Sequence, residues 1–96
     1  MMNEEKQRKL EETAAILHIL GHPDRLRILV CLLREECYVK DLADRMGLPQ
    51  STVSQHLRVM TDRGILESER RGVKVCYKSA CTIAEQIAKL LMANCE

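Results

Sequence analysis

Two sets of residues in this chain have types and spacings that could do chemistry. The first is a run of short polar side chains, Ser51, Thr52, Ser54, Gln55 and His56, followed by Arg58, within "LPQSTVSQHLRVMTDRGIL". The second is five cysteines, at positions 31, 37, 76, 81 and 95. Ser and Thr are mediocre helix formers, because their hydroxyls compete for backbone hydrogen bonds, so helix propensity did not select the first set. At about 100° per residue, Val53, Leu57 and Met60 share one side of a helix. Ser51, Ser54, Gln55, Arg58 and Asp62 share the other. Ordinary solvated faces favour Glu and Lys, and this face has neither. Short side chains let a helix backbone approach a phosphate chain closely. Gln can bond an adenine edge at two points, and Arg a guanine edge; hydroxyls and the helix N-terminus suit phosphates. The expectation is a helix that enters the major groove of double-stranded DNA. His56 sits beside the apolar side and reads as a packed, hydrogen-bonded residue.

The cysteines depend on compartment. The N-terminus "MMNEEKQRKLEE" has no signal-peptide apolar region, and no apolar run reaches the roughly 18 residues of a membrane span. A cytoplasmic protein is expected. There an odd number of cysteines argues against a disulfide framework and for thiols that are inert, reactive or metal-binding. No CxxC spacing is present. Cys31 in "ILVCLL" reads most simply as a small core residue. Cys76 alternates away from Val75 and Tyr77, so partial exposure is expected. Cys37, Cys81 and Cys95 fall at element ends.

The elements that must hold these residues follow from periodicity. Leu10, Ala14, Ile16, Leu17 and Leu20 predict a helix over about 4–20. "GHPD" breaks it, and Pro23 and Asp24 suit the first turn of a second helix carrying Leu26, Leu29, Val30 and Leu33. "REECY" is a polar break. A short third helix, about 39–46, buries Val39, Leu42, Ala43 and Met46. "GLP" turns the chain into the polar helix, which stops at Gly64. Alternation on either side of "RRG" predicts a hairpin over about 65–78. A stripe of Ala80, Ile83, Ala84, Ile87, Leu90, Leu91 and Asn94 predicts a last helix over about 80–95.

Two short helices joined by a Gly-containing turn make a helix-turn-helix, about 39–63, and the hairpin makes a wing. The fold expected is mainly α with a two-stranded β-wing, about five helices, in one domain over 1–96. With neither Trp nor Phe, its core must be aliphatic. A chain of 96 residues buries only about 60% of its unfolded surface. Its first and last helices carry more apolar surface than that core needs, so they are the expected interface of a homodimer. The net charge is only +1. Yet Gln50 to Lys78 holds Arg58, Arg63, Arg70, Arg71, Lys74 and Lys78 against Asp62, Glu67 and Glu69, which on charge alone fits a surface facing a polyanion and a solvated face equally.

"HPDRLRIL", "VKDLADRMGLPQSTVSQHLRVMTDRGIL" and "ERRGVKVCYK" together resemble the ArsR/SmtB family of winged-helix repressors, over roughly residues 12–95. The resemblance implies a homodimer through the first and last helices. It implies binding to a palindromic operator, with release when a metal, a metalloid or a thiol modification reaches the protein. It places Ser51, Thr52, Ser54, Gln55 and Arg58 against DNA, and Arg70, Arg71 and Lys74 along the wing. The family's third-helix metal site carries "C-x-C-D-L" or "C-x-G-D-L". Here "CYVKDL" displaces Cys37 by one residue and puts Lys40 where a second Cys would stand. The family's last-helix zinc site needs histidines, and His18, His22 and His56 all lie elsewhere. Cys81 stands near that site's Asp, a soft ligand in a hard ligand's place. A sulfur- or oxidant-sensing branch pairs a second-helix cysteine with one at the end of the last helix. Cys95 fits, and Cys31 is one residue off, about 100° round the helix. In an antiparallel pairing of last helices, Cys81 of one chain would approach Cys95 of the other. Candidate sensing residues are therefore Cys31, Cys37, Cys81 and Cys95, with arsenite, antimonite or a soft metal ion as possible ligands beside sulfur or redox chemistry.

The expected function is a dimeric operator-binding repressor released by a thiol-directed signal. The alternatives are a winged-helix DNA-binding regulator whose cysteines are merely packed, and a winged-helix protein–protein module. An enzyme is not expected, since no nucleophile–base or paired-carboxylate arrangement is present.

Overall fold

The computed structural model describes residues 3–35 and 37–94. Five helices and three strands follow in the order α1 (Glu4–Leu20), α2 (Pro23–Arg34), β1 (Cys37–Tyr38), α3 (Val39–Met46), α4 (Gln50–Asp62), β2 (Leu66–Arg71), β3 (Lys74–Ser79) and α5 (Thr82–Asn94). The helix boundaries have local causes. Asn3 caps α1 by accepting from the Lys6 amide at 2.8 Å. His22 caps α2, its Nδ1 accepting from the Asp24 amide at 3.2 Å, and Pro23 takes the first helical position, where its missing N–H costs nothing. Gly47 ends α3 at φ +65, and the Leu48 amide reaches back to the Ala43 carbonyl at 3.1 Å. That left-handed residue makes the turn between α3 and α4, and only glycine takes it without strain.

The core is aliphatic, as the absence of Phe and Trp requires. Ile28, Leu29, Leu42, Val53, Leu57, Met60 and Ile65 are wholly buried, joined by Leu32, Leu66, Ala84 and Ala88. α2 runs through the middle of it, centred on Ile28, Leu29 and Leu32; Leu26, Val30 and Leu33 are only half-buried. Arg27 fastens α3 to α2 by donating to the Arg45 carbonyl at 3.1 Å. The outer helices contribute less. α1 buries only Ile19 and Leu20, while Leu10 and Leu17 are each 51% exposed. α5 buries Ala84 and Ala88 and leaves Leu90 65% exposed.

β2 and β3 form the expected hairpin, and a third strand extends its sheet. "REECY" is not simply a break: β1 pairs with β3, giving a three-stranded antiparallel sheet in the order β1-β3-β2. This corrects the expectation for Cys76, which is buried at 3% exposure. β3 is the central strand, and Cys76 lies directly opposite Tyr38 of β1, on the same face. A two-stranded wing would lack that cover. Tyr77, on the other face, packs against the core as its alternation predicts. Val73 does not join it. It is 93% exposed at the tip, beside Gly72 at φ +67. A positive φ at the first of two turn residues belongs to a type II′ hairpin turn, whose twist matches the strands. No helix among the described residues is long and apolar enough to cross a membrane.

Candidate nucleic-acid interface

α4 has the two faces its spacing predicts. Val53, Leu57 and Met60 are fully buried and lock the helix to the body. Ser51, Ser54, Gln55, Arg58 and Asp62 are exposed, and Thr52 is half-buried. The helix begins at Pro49, which has no side-chain cap to offer; its carbonyl accepts from the Thr52 and Val53 amides. Thus no side chain caps this helix by a hydrogen bond, and its macrodipole favours an anion there.

The wing presents Arg70, Arg71 and Lys74 in the open. Arg71 lies 3.4 Å from Glu69, and Lys78 pairs with its cross-strand partner Glu67 at 3.3 Å. Exposed pairs of this kind are worth little and are readily exchanged for another anion. The Lys74 ammonium sits over the Tyr38 ring, 5.2 Å from its centroid. Tyr38 was not among the expected site residues. Only the pairing of β1 with β3 reveals it, since it is far from Lys74 in sequence.

His56 is half-buried between α4 and the start of α2. Its Nδ1 accepts from Arg25 Nε at 3.3 Å, and its ring packs edge-on to His22 with centroids 4.6 Å apart. Burial first, then His22 and Arg25, hold its pKa below the usual 6.5, against an upward pull from Asp24. His22, Asp24 and His56 also bring ligand atoms within 4.8 Å of one another, the one such group of three among the described residues. Both Nδ1 atoms accept hydrogen bonds, so both neutral rings carry their proton on Nε2. Those bonds occupy Nδ1, and ligation through Nε2 would need a donor at Nδ1, which an accepting Nδ1 does not offer. The group is a hydrogen-bonded corner rather than a built metal site.

No described cysteine belongs to a group of three ligating side chains. Cys31 on α2 and Cys81 just before α5 are half-buried and packed against the core, and Cys76 is buried on β3. The Cys37 side chain and Cys95 lie outside the described residues.

A short helix, a glycine turn, a second helix with one exposed polar face and a basic wing define a winged helix-turn-helix protein. Residues 22–68 match the model described as "Bacterial regulatory protein, arsR family". The chain is 32% identical over 91 residues to the biofilm growth-associated repressor of Xylella fastidiosa, covering 95% of this chain and 80% of that protein. Its fold superposes on reduced HlyU from Vibrio cholerae with a TM-score of 0.88 at 27% identity, over 98% of this chain and all of that one. The homodimeric winged helix-turn-helix DNA-binding domain of Mb0332 from Mycobacterium bovis matches at 0.81 and 25% identity, over 96% of this chain and 85% of that one. The chain belongs to the ArsR/SmtB family of DNA-binding transcriptional repressors, which are not enzymes.

Proposed function

We propose that this chain is a homodimeric, sequence-specific repressor that binds operator DNA through the helix-turn-helix at about 39–63 and the wing at about 65–78. The observation that carries the reading is α4: three fully buried apolar residues on one side, and an open face of hydroxyls, an amide and a guanidinium on the other. Gln55 and Arg58 read base edges. Ser51, Thr52 and Ser54 take phosphate oxygens at the helix start, and Arg70, Arg71 and Lys74 hold the flanking backbone. The exposed leucines of α1 and α5 form the dimer contact, through helices at about 4–20 and 80–95 within a single domain of 1–96. The homodimeric state of the Mb0332 domain supports it.

The release signal is thiol-directed. Five cysteines in 96 residues far exceed ordinary usage. Cys31 and Cys81 are neither sealed in the core nor bonded to each other. The one converging group of three ligating side chains among the described residues contains no cysteine. Candidates are Cys31, Cys37, Cys81 and Cys95, with arsenite, antimonite or a soft divalent metal as ligand, or a polysulfide or oxidant as reagent.

The test is fluorescence anisotropy on a duplex that the reduced protein selects from a random-sequence library. Reduced protein should bind it tightly. Arsenite, cadmium or polysulfide, added separately, should include one that releases it, and Cys→Ser substitutions should abolish release while keeping binding. Binding that no reagent releases would leave a repressor without a cysteine sensor. No selectable duplex would overturn the DNA reading itself.

A further inference from the structure

One arginine ties together the three helices at the base of α4. Arg25, in the first turn of α2, donates through Nη1 to the Ile19 carbonyl of α1 at 3.2 Å and through Nε to His56 Nδ1 of α4 at 3.3 Å. His22, which caps α2, lies edge-on against the same imidazole. His56 is next to Gln55 in the chain and two residues from Arg58. Arg25, Gln55, His56, Arg58 and Val59 line one open cleft of about 360 Å³. The anchor of α4 and its outward readers are therefore adjacent. Side chains that read base edges must be held to within about 0.5 Å and 10–20° to bond productively.

The geometry points to Arg25 and His56 as positioning residues for the DNA-facing side of α4, with the proton on His56 deciding whether they stay joined. This rests on the reading of α4 proposed above. Nδ1 accepts from Arg25, so it carries no proton in the joined state. A proton taken up from solvent at Nδ1 turns the acceptor into a donor. The Arg25 bond is lost, and an imidazolium faces a guanidinium. The groups around His56 fix the direction. From the start of α2, Arg25 and His22 oppose the added charge, while Asp24, 3.9 Å from Nε2, attracts it. α1 reaches the corner through the Ile19 carbonyl, and Arg58 borders it on α4. Burial, His22 and Arg25 together outweigh Asp24, so His56 is neutral and joined near pH 7 and charges only in acid.

The experiment compares affinity for the selected duplex with affinity for a scrambled one, by anisotropy, from about pH 7.5 down to about pH 5.5. His56→Asn keeps an acceptor near the Nδ1 position but does not titrate. The selectivity of the natural protein should fall about threefold across that range and that of H56N should stay flat, because one proton is linked to one contact and a pKa below 6.5 keeps the fall under tenfold. Arg25→Gln, shown folded by circular dichroism, should have lost selectivity already at the higher pH. Identical pH profiles for natural protein and H56N overturn the proposal, as does a folded R25Q of full selectivity; should R25Q not fold, the H56N comparison decides alone. Arg58→Ala separates the two levels. Full selectivity in R58A overturns the reading of α4 and this inference with it. Loss in R58A without loss in folded R25Q overturns this inference only.

Discussion

Gln55 and Arg58 stand exposed on α4 because Val53, Leu57 and Met60 commit the opposite side to the core. Removing either reader should weaken binding to the selected duplex and relax choice at one base pair, by about 1–3 kcal/mol. Single-base-pair variants of that duplex, titrated with Gln55→Ala and Arg58→Ala, measure this directly. His56 makes a separate prediction about stability. Its folded pKa lies below its unfolded value near 6.5, so the unfolded chain binds the proton more readily. Its contribution is complete above about pH 6.5 and falls as the pH drops from there toward the folded pKa. Urea unfolding midpoints should decline over that interval in the natural protein and less steeply in H56N. Both faces of α4 were legible in the sequence, since a helix repeats within seven residues. The partner of His56 was not. Arg25 lies 31 positions away, and only the packing of α2 on α4 joins them.

At the scale of elements, the third and fourth helices and their turn were legible because Gly47, Pro49 and the apolar spacing all mark the same boundaries. β1 was not, because two residues cannot display alternation. Missing it misplaced Cys76, which stands opposite Tyr38 on the central strand and is buried. The wing's role is separable from that of α4. Lys74 is exposed on the wing and sits over Tyr38, and in the proposed reading it supplies charge and not sequence choice. Lys74→Ala should weaken the selected and scrambled duplexes alike and reduce the slope of log affinity against log salt by about 1. A loss confined to the selected duplex would move Lys74 into the reading set.

The whole chain has a radius of gyration of 14.3 Å, against about 13 Å for a compact chain of this length. α1 and α5 differ from the rest in character: Leu10, Leu17, Leu90 and Leu91 are exposed on them, although most of the core is built by α2, α3 and α4. That surplus was legible in the sequence as more apolar stripe than a small core needs, and it is the reason to expect two chains per operator. The most direct measurement is sedimentation velocity of the reduced protein with the labelled selected duplex, across a series of salt concentrations. Two chains should bind each duplex, and affinity should fall steeply with log salt, about 0.9 per phosphate neutralised. Leu90→Glu should sediment as a monomer and lose the complex. A single chain on the duplex, or an affinity indifferent to salt, would contradict a dimeric repressor that grips DNA through α4 and its wing.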